Sequence, residues 1–282
     1  MSKRDLDVVI LSDIHLGTAD CQAEALLNYL RDIRPETLIL NGDIVHMSHR
    51  KKIFPAMQMK VIDEILQLSM KGTSVYLITG NRDDELRRFS PFTAGNFKLR
   101  DKLVLQLKGK QYWIFHGDIF DLSGAITPWL VQWGSNSYRY LLRANRWVNH
   151  FRKSIGKPEM SLSTKLRKWP LKAKRYIDHF ESQALRLAKE QGYDYVICGH
   201  THQPVIRNLD GVTYMNSGDW VENMTALEFN FGKWKLYRYN RLDFEYVNPK
   251  LRVPVRNSTS KMKDISINSE ELFQRIISQV KH

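Results

Sequence analysis

The sequence predicts a mixed α/β fold, and three observations predict it. Between residues 8 and 78, short apolar runs alternate with segments of helical period, the mark of strand–helix–strand units and a parallel sheet. Beyond residue 103, strand-like runs come in pairs around tight-turn residues, the mark of antiparallel hairpins. Finally, five of the apolar runs stop abruptly at a cluster that pairs Gly with Asp, Asn or His.

Val8, Val9, Ile10 and Leu11 form a continuous apolar run, the pattern of a buried strand. The chain then turns polar at Ser12, Asp13, His15 and Gly17. Residues 21–33 read as a helix with Ala25, Leu26, Tyr29 and Leu30 on one face and Pro35 beyond its end. Leu38-Ile39-Leu40 is the next strand and runs into Asn41-Gly42-Asp43. Pro55 opens a second helix through Val61, Ile62, Ile65, Leu66 and Leu68, and Gly72 closes it. Val75 to Ile78 then runs into Gly80-Asn81-Arg82-Asp83. Residues 103–107 and 112–115 flank Lys108-Gly109-Lys110 as a hairpin, and the second run ends in His116-Gly117-Asp118. Tyr195-Val196-Ile197-Cys198 runs into Gly199-His200-Thr201-His202. Two more hairpins follow, one around Asp210-Gly211 and one around Phe231-Gly232. The reading is thus of a parallel half followed by an antiparallel half.

In open α/β sheets, ligands bind outside the carboxyl ends of the strands. Glycine beside each polar cluster lets the backbone turn and approach a ligand closely. Five strand ends therefore converge, and they supply Asp13, His15, Asp43, Asn81, His116, His200 and His202. That mixed oxygen and nitrogen set suffices for two divalent ions. A single Asp-x-His triplet is usually loop chemistry; the recurrence of the event is what points to a site.

The 282 residues, 43% of them hydrophobic, allow one large domain or two small ones with a real core. No run of 18 apolar residues predicts a transmembrane helix, and no signal-peptide core precedes the first strand. Cys21 and Cys198 do not make a disulfide framework; Cys198, inside an apolar run, reads as a small buried hydrophobe. A reducing cytoplasm fits these features. The net charge of +13 is unevenly spread. Between Arg139 and Arg175 twelve Lys/Arg stand against the single acid Glu159, a net of +11 that leaves only +2 for the rest of the chain. This basic stretch belongs to an insertion at about 122–190, read as helices over 127–153, 161–169 and 171–189. In it Trp129, Trp133, Tyr138, Tyr140, Trp147 and Phe151 interleave with Arg139, Arg143, Arg146, Arg152 and Lys153. One-signed charge concentrates anionic substrates, and with aromatics at helical spacing it also suits a membrane interface. Residues 1–242 read as the main domain and 243–282 as a tail with a short helix at 269–280.

The ordered set Asp13-x-His15, Gly42-Asp43, Gly80-Asn81, His116 and Gly199-His200-x-His202 resembles the calcineurin-like metallophosphoesterase superfamily, over residue 7 to about 220. The resemblance implies a four-layer sandwich: two stacked mixed sheets with helices outside. It implies that Asp13, His15 and His202 hold one metal, that Asn81, His116 and His200 hold the other, and that Asp43 bridges them. Asn81 and the following Arg82 are the candidate catalytic residues.

Arg82 departs from the superfamily's usual pattern, which has His after the Asn. That His can protonate a leaving group; Arg keeps its proton and grips phosphate oxygens as a planar fork. Arg82 therefore suits a leaving group that needs no proton, such as the phosphate released from a diphosphate. The bland alternative makes it a salt-bridge partner of Asp83 or Asp84. Gly80-Asn81-Arg82-Asp83, the basic insertion and Asn216-Ser217-Gly218-Asp219-Trp220 resemble the UDP-2,3-diacylglucosamine hydrolase branch. Those enzymes are bacterial, peripheral to the inner membrane, and cleave a nucleotide diphosphate in lipid A synthesis to UMP and an acylated sugar 1-phosphate. Manganese is their usual metal, so the likeness implies two manganese ions here, with iron or zinc as the alternatives. The likeness makes the insertion a lid for acyl chains and phosphate, with Arg82, Asp121, Lys165 and Lys168 binding substrate, and gives Asp219 and Trp220 packing and loop-orienting roles. Three other readings stay open. A protein or cyclic-nucleotide phosphoesterase would want the protonating His at position 82. A nuclease is compatible with the basic stretch but not favoured. A non-catalytic binding module would not need every ligand position filled.

Overall fold

The computed structural model describes residues 3–47, 54–123 and 171–245. The chain divides into two compact units, Met1–Gly117 with Leu187–His282, and Asp118–Arg186. In chain order the described elements are β1 (Arg4–Leu11), α1 (Ala23–Asp32), β2 (Ile33–Asn41), α2 (Ala56–Met70), β3 (Ser74–Ile78), β4 (Phe92–Ala94), β5 (Phe97–Arg100), β6 (Leu103–Leu107), β7 (Lys110–Ile114), α3 (Leu171–Glu190), β8 (Tyr195–Cys198), β9 (Val205–Leu209), β10 (Val212–Asn216), β11 (Thr225–Asn230), β12 (Lys233–Arg238) and α4 (Leu242–Glu245). Two 3-10 turns, Asp84–Phe89 and Asp118–Ser123, complete the set. Among the described residues no helix is long and apolar enough to cross a membrane.

The strands form two mixed sheets, ordered β12-β11-β1-β2-β3-β5-β4 and β6-β7-β8-β10-β9. In the first, β1, β2, β3 and β5 run parallel. In the second, β7, β8 and β10 do. The hairpins close the edges: β4 on β5, β6 on β7, β9 on β10, and β12 on β11. This corrects the expectation of a parallel half followed by an antiparallel half. The last hairpin returns to the first sheet, with Val8 opposite Phe229 and Ile10 opposite Leu227, because β1 otherwise has an unpaired edge.

Side-chain alternation along the strands sorts the apolar residues into two layers. Val9, Leu11, Leu38, Leu40, Val75 and Leu77 pack against Leu26 and Leu30 of α1 and Val61 and Ile65 of α2. Val8, Ile10, Ile39 and Ile78 point the other way and meet Tyr112, Ile114, Ile197 and Met215 of the second sheet. The two sheets are therefore stacked, as expected. Each large aliphatic side chain so buried contributes roughly 1.5–3 kcal/mol of transfer free energy. Ile33, expected at the end of the first helix, instead begins β2, and Pro35 lies within that strand. Tight two-residue turns join three hairpins, with Lys108-Gly109, Asp210-Gly211 and Phe231-Gly232 all at positive φ as such turns require. In the smaller unit Phe120 meets the buried Phe180 edge-on at 5.2 Å. The expected helices at 127–153, 161–169 and 269–280 lie outside the described residues.

Candidate metal centre

Parallel neighbours end at the same edge, so β1, β2 and β3 deliver Asp13, His15, Asp43 and Asn81 to one place. Likewise β7 and β8 deliver His116, His200 and His202. Backbone hydrogen bonds stitch the loops together. Asp13 N–H donates to the Gly42 carbonyl (3.1 Å), His15 N–H to the Asp43 carbonyl (3.0 Å) and Gly199 N–H to the His116 carbonyl (3.0 Å). One side chain ties the first sheet to the second, Asp13 Oδ2 accepting from His200 N–H at 3.0 Å, and another joins two loops of the first sheet, Asp43 Oδ1 accepting from Arg82 N–H at 2.7 Å.

Asp13, His15, Asp43, His200 and His202 all hold left-handed backbone, with φ between +51° and +64°. Such angles are uncommon outside glycine, and their concentration marks a place where the chain bends to aim side chains. Two glycines make room for this crowding. A Cβ on Gly80 would stand 2.5 Å from Asp43 Oδ1, and one on Gly199 would stand 2.7 Å from Asp13 Oδ2.

Two overlapping groups of donor atoms result, Asp13 with His15 and His202, and Asp13 with Asp43 and His116, each within 4.8 Å. His202 Nε2 lies 3.0 Å from Asp13 Oδ1, His15 Nε2 3.9 Å from Asp43 Oδ2, and His116 Nε2 3.5 Å from Asp43 Oδ1. The His200 ring stands edge-on to His116 at 5.2 Å. Asn81 is exposed on the turn between Gly80 and Arg82.

The donor set fits divalent cations. His116 Nδ1 faces the Asn41 carbonyl at 2.9 Å; that oxygen only accepts, so Nδ1 carries a proton, and in the neutral ring Nε2 presents a lone pair 3.5 Å from the Asp43 carboxylate. Two acceptors facing each other in a buried site call for a cation between them, and a backbone-anchored imidazole is how a metal-binding histidine is held. Asp13 is 0% and Asp43 3% exposed, so their two charges are costly without positive partners. Burial pushes the Asp43 carboxyl up, and the Asp13 charge adds to it. Burial and the Asp43 charge push Asp83 up to about 6. For Asp13, burial opposes ionisation, but His202 outweighs it and holds the carboxyl well below the usual range. Burial likewise opposes a charged His202, yet Asp13 raises it to about 9. Burial and the neighbouring His202 press His15 down to about 3.

Behind the donors lies a layer of orienting groups that sequence reading largely missed. Asp83 accepts from Gly80 N–H (2.6 Å) and Ile44 N–H (2.8 Å), locking the β2 and β3 loops together. Asn216 donates to the Gly199 carbonyl (2.7 Å) and bonds Thr201 Oγ1 (3.1 Å), fixing the turn between His200 and His202. Ser12 and Ser217 hydroxyls meet at 2.7 Å. Asp219 caps its loop through the N–H groups of Val221 and Glu222 and lies 3.7 Å from His202 Nδ1, while Trp220 is fully buried. Only the Asn-Ser-Gly-Asp-Trp run after the last histidines signalled any of this.

Arg82 Nε lies 3.9 Å from Asp43 Oδ2. Its acidic neighbour is thus Asp43, while Asp84 pairs with Arg87 at 3.0 Å. Lys165, Lys168 and the side chain of Asp121 lie outside the described residues.

The profile of the calcineurin-like phosphoesterases matches residues 6–204. UDP-2,3-diacylglucosamine hydrolase of Aliivibrio fischeri is 26% identical over 258 residues, covering 85% of this chain and 100% of that protein. The protein of the same name from Pseudomonas aeruginosa is 28% identical over 242 residues, covering 80% and 95%. Among solved structures, an archaeal phosphodiesterase has a TM-score of 0.41 and 16% identity, covering 82% of this chain and 98% of that one. A profile that takes in both the first Asp-x-His and the last His-x-His places the chain in the calcineurin-like phosphoesterase family, the metal-dependent hydrolases of phosphoric esters and diphosphates.

Proposed function

We propose that this chain hydrolyses a nucleotide diphosphate linked to an acylated sugar, of the UDP-2,3-diacylglucosamine kind, to UMP and the acylated sugar 1-phosphate. The observation that carries the reading is Arg82, whose guanidinium lies 3.9 Å from Asp43 beside the donor cluster. Hydrolases named for that substrate, 24–28% identical over most of their length, support it.

Asp13, His15 and His202 would hold one divalent ion, Asn81, His116 and His200 the other, and Asp43 both, with manganese the metal of choice. Ions held there supply Lewis acidity at a phosphoryl oxygen and an activated water. The chain's own residues do the rest. Arg82 offers N–H donors to a phosphoryl group, anchored by its main-chain bond to Asp43. It keeps its proton, which matches a phosphate leaving group that leaves without one. Asn81, on the same turn, meets the substrate beside it. The basic insertion receives the acylated portion and brings the enzyme to the inner membrane surface from the cytoplasm.

The test incubates manganese-loaded protein with UDP-2,3-diacylglucosamine, ADP-ribose, a phosphopeptide and single-stranded DNA. UMP release from the first, outpacing turnover of the others, is expected. Preferential consumption of the phosphopeptide or the DNA would overturn the reading.

A further inference from the structure

The neighbourhood of Arg82 holds one more imidazole, that of His46. Past Asp43 the β2 loop runs beside the β1 loop as a short parallel ladder, with Leu16 N–H donating to Ile44 O and His46 N–H to Leu16 O, each at 2.8 Å. The next residue, Met47, donates its N–H to the carbonyl of Arg82 at 2.9 Å. His46 is therefore pinned between the loop that carries His15 and the loop that carries Arg82. Val45 and Met47 on either side of it pack into the helix-side core. In extended chain the residue between two inward ones points away from them. The His46 ring accordingly lies on the His15 side, with ring centroids 6.1 Å apart and planes tilted by 47°. His46 is partly exposed, whereas Asp13, Asp43 and His116 are buried. Arg82 Nε and His15 Nε2 thus each lie 3.9 Å from Asp43 Oδ2, and the His46 ring stands next to that of His15.

A diphosphate has two phosphoryl groups. One must meet the metal donors; the other needs hydrogen-bond donors beside them. We infer that His46 and Arg82 together form the subsite for the non-reacting phosphoryl group of a diphosphate substrate. This rests on the diphosphate reading above and adds the second residue of the clamp. Imidazole has an N–H in either protonation state, so the contact requires no titration.

The test compares the manganese-loaded parent with His46→Ala and His46→Gln. Two ratios are read. The first is kcat/KM for UDP-2,3-diacylglucosamine over kcat/KM for bis(p-nitrophenyl) phosphate, which has one phosphoryl group. The second is Ki for UMP over Ki for α,β-methylene-UDP, both measured as inhibitors of the diester reaction. Each ratio should fall about tenfold in His46→Ala, the size of one lost hydrogen bond to a charged group, and recover in part in His46→Gln, whose amide still donates. Diester turnover in the same preparation reports that the variant is folded. If the parent leaves UDP-2,3-diacylglucosamine intact yet the inhibitor ratio falls, the proposed substrate is wrong and the subsite stands. An inhibitor ratio unchanged in His46→Ala overturns the subsite whatever the substrate.

Discussion

Arg82 is the residue at which the chemistry is decided. If it grips a diphosphate whose leaving group needs no proton, Arg82→His should slow diphosphate cleavage by the worth of one charge-assisted contact. That is about 1.5–3 kcal/mol, or roughly ten- to hundredfold. The same change should spare or speed esters with alkoxide leaving groups, since imidazole can deliver a proton there. Parallel loss on both substrates in steady-state assays would reduce Arg82 to a support of Asp43. His202 gives a second prediction. Its imidazole is raised to about 9 in the metal-free protein, above the unfolded value near 6.5. The stability that its proton brings is complete below about pH 6.5 and is lost as pH rises through about 9. A metal ion at that nitrogen must displace the proton. Metal binding at pH 7.5 should release about one proton and tighten with rising pH up to about 9. Calorimetry in two buffers of different ionisation enthalpy reads this release, and His202→Asn should abolish it.

The hairpin turns show how local chemistry and long-range pairing divide the work. Lys108-Gly109 and Asp210-Gly211 were legible as turns because glycine tolerates positive φ. Phe231 is different: it is 90% exposed and sits at φ +50°, where a bulky side chain crowds its own backbone. Phe231→Asn should therefore stabilise the protein by about 0.5–1 kcal/mol, a rise of roughly 1–2 °C in Tm. A fall in Tm would show that the aromatic ring contributes more than the turn strain takes away. The five strand ends were readable for a related reason, since each apolar run stops where the chain leaves the sheet. β4 and β5 were not, because Phe92–Ala94 is exposed and owes its strand to pairing with β5. The return of β11 to β1 was hidden too: Val8 and Phe229 lie far apart in sequence, and nothing local specifies their register. His46 went unnoticed because it follows no glycine and ends no apolar run. Its place comes from bonds to Leu16 and, through Met47, to Arg82.

At the scale of the molecule, a near-neutral remainder carries a strongly basic stretch, with a net of +11 between Arg139 and Arg175. Charge so concentrated should make the protein bind anionic vesicles at low salt, and binding should weaken as salt rises past the Debye regime of about 10 Å at 0.1 M. Reversing Arg143, Arg146 and Lys153 to Glu should abolish that binding in a sedimentation assay while sparing hydrolysis of a small diester. Absence of vesicle binding by the parent at low salt would remove the membrane from the account. The central claim is that strand ends of two stacked sheets build one dinuclear centre around Asp43. Its most direct measurement is anomalous diffraction from crystals of the manganese-loaded protein. Two peaks about 3.5–4 Å apart, both touching Asp43, with Asn81 on one and His202 on the other, are the result expected. A single peak with Asn81 remote from it would contradict the claim.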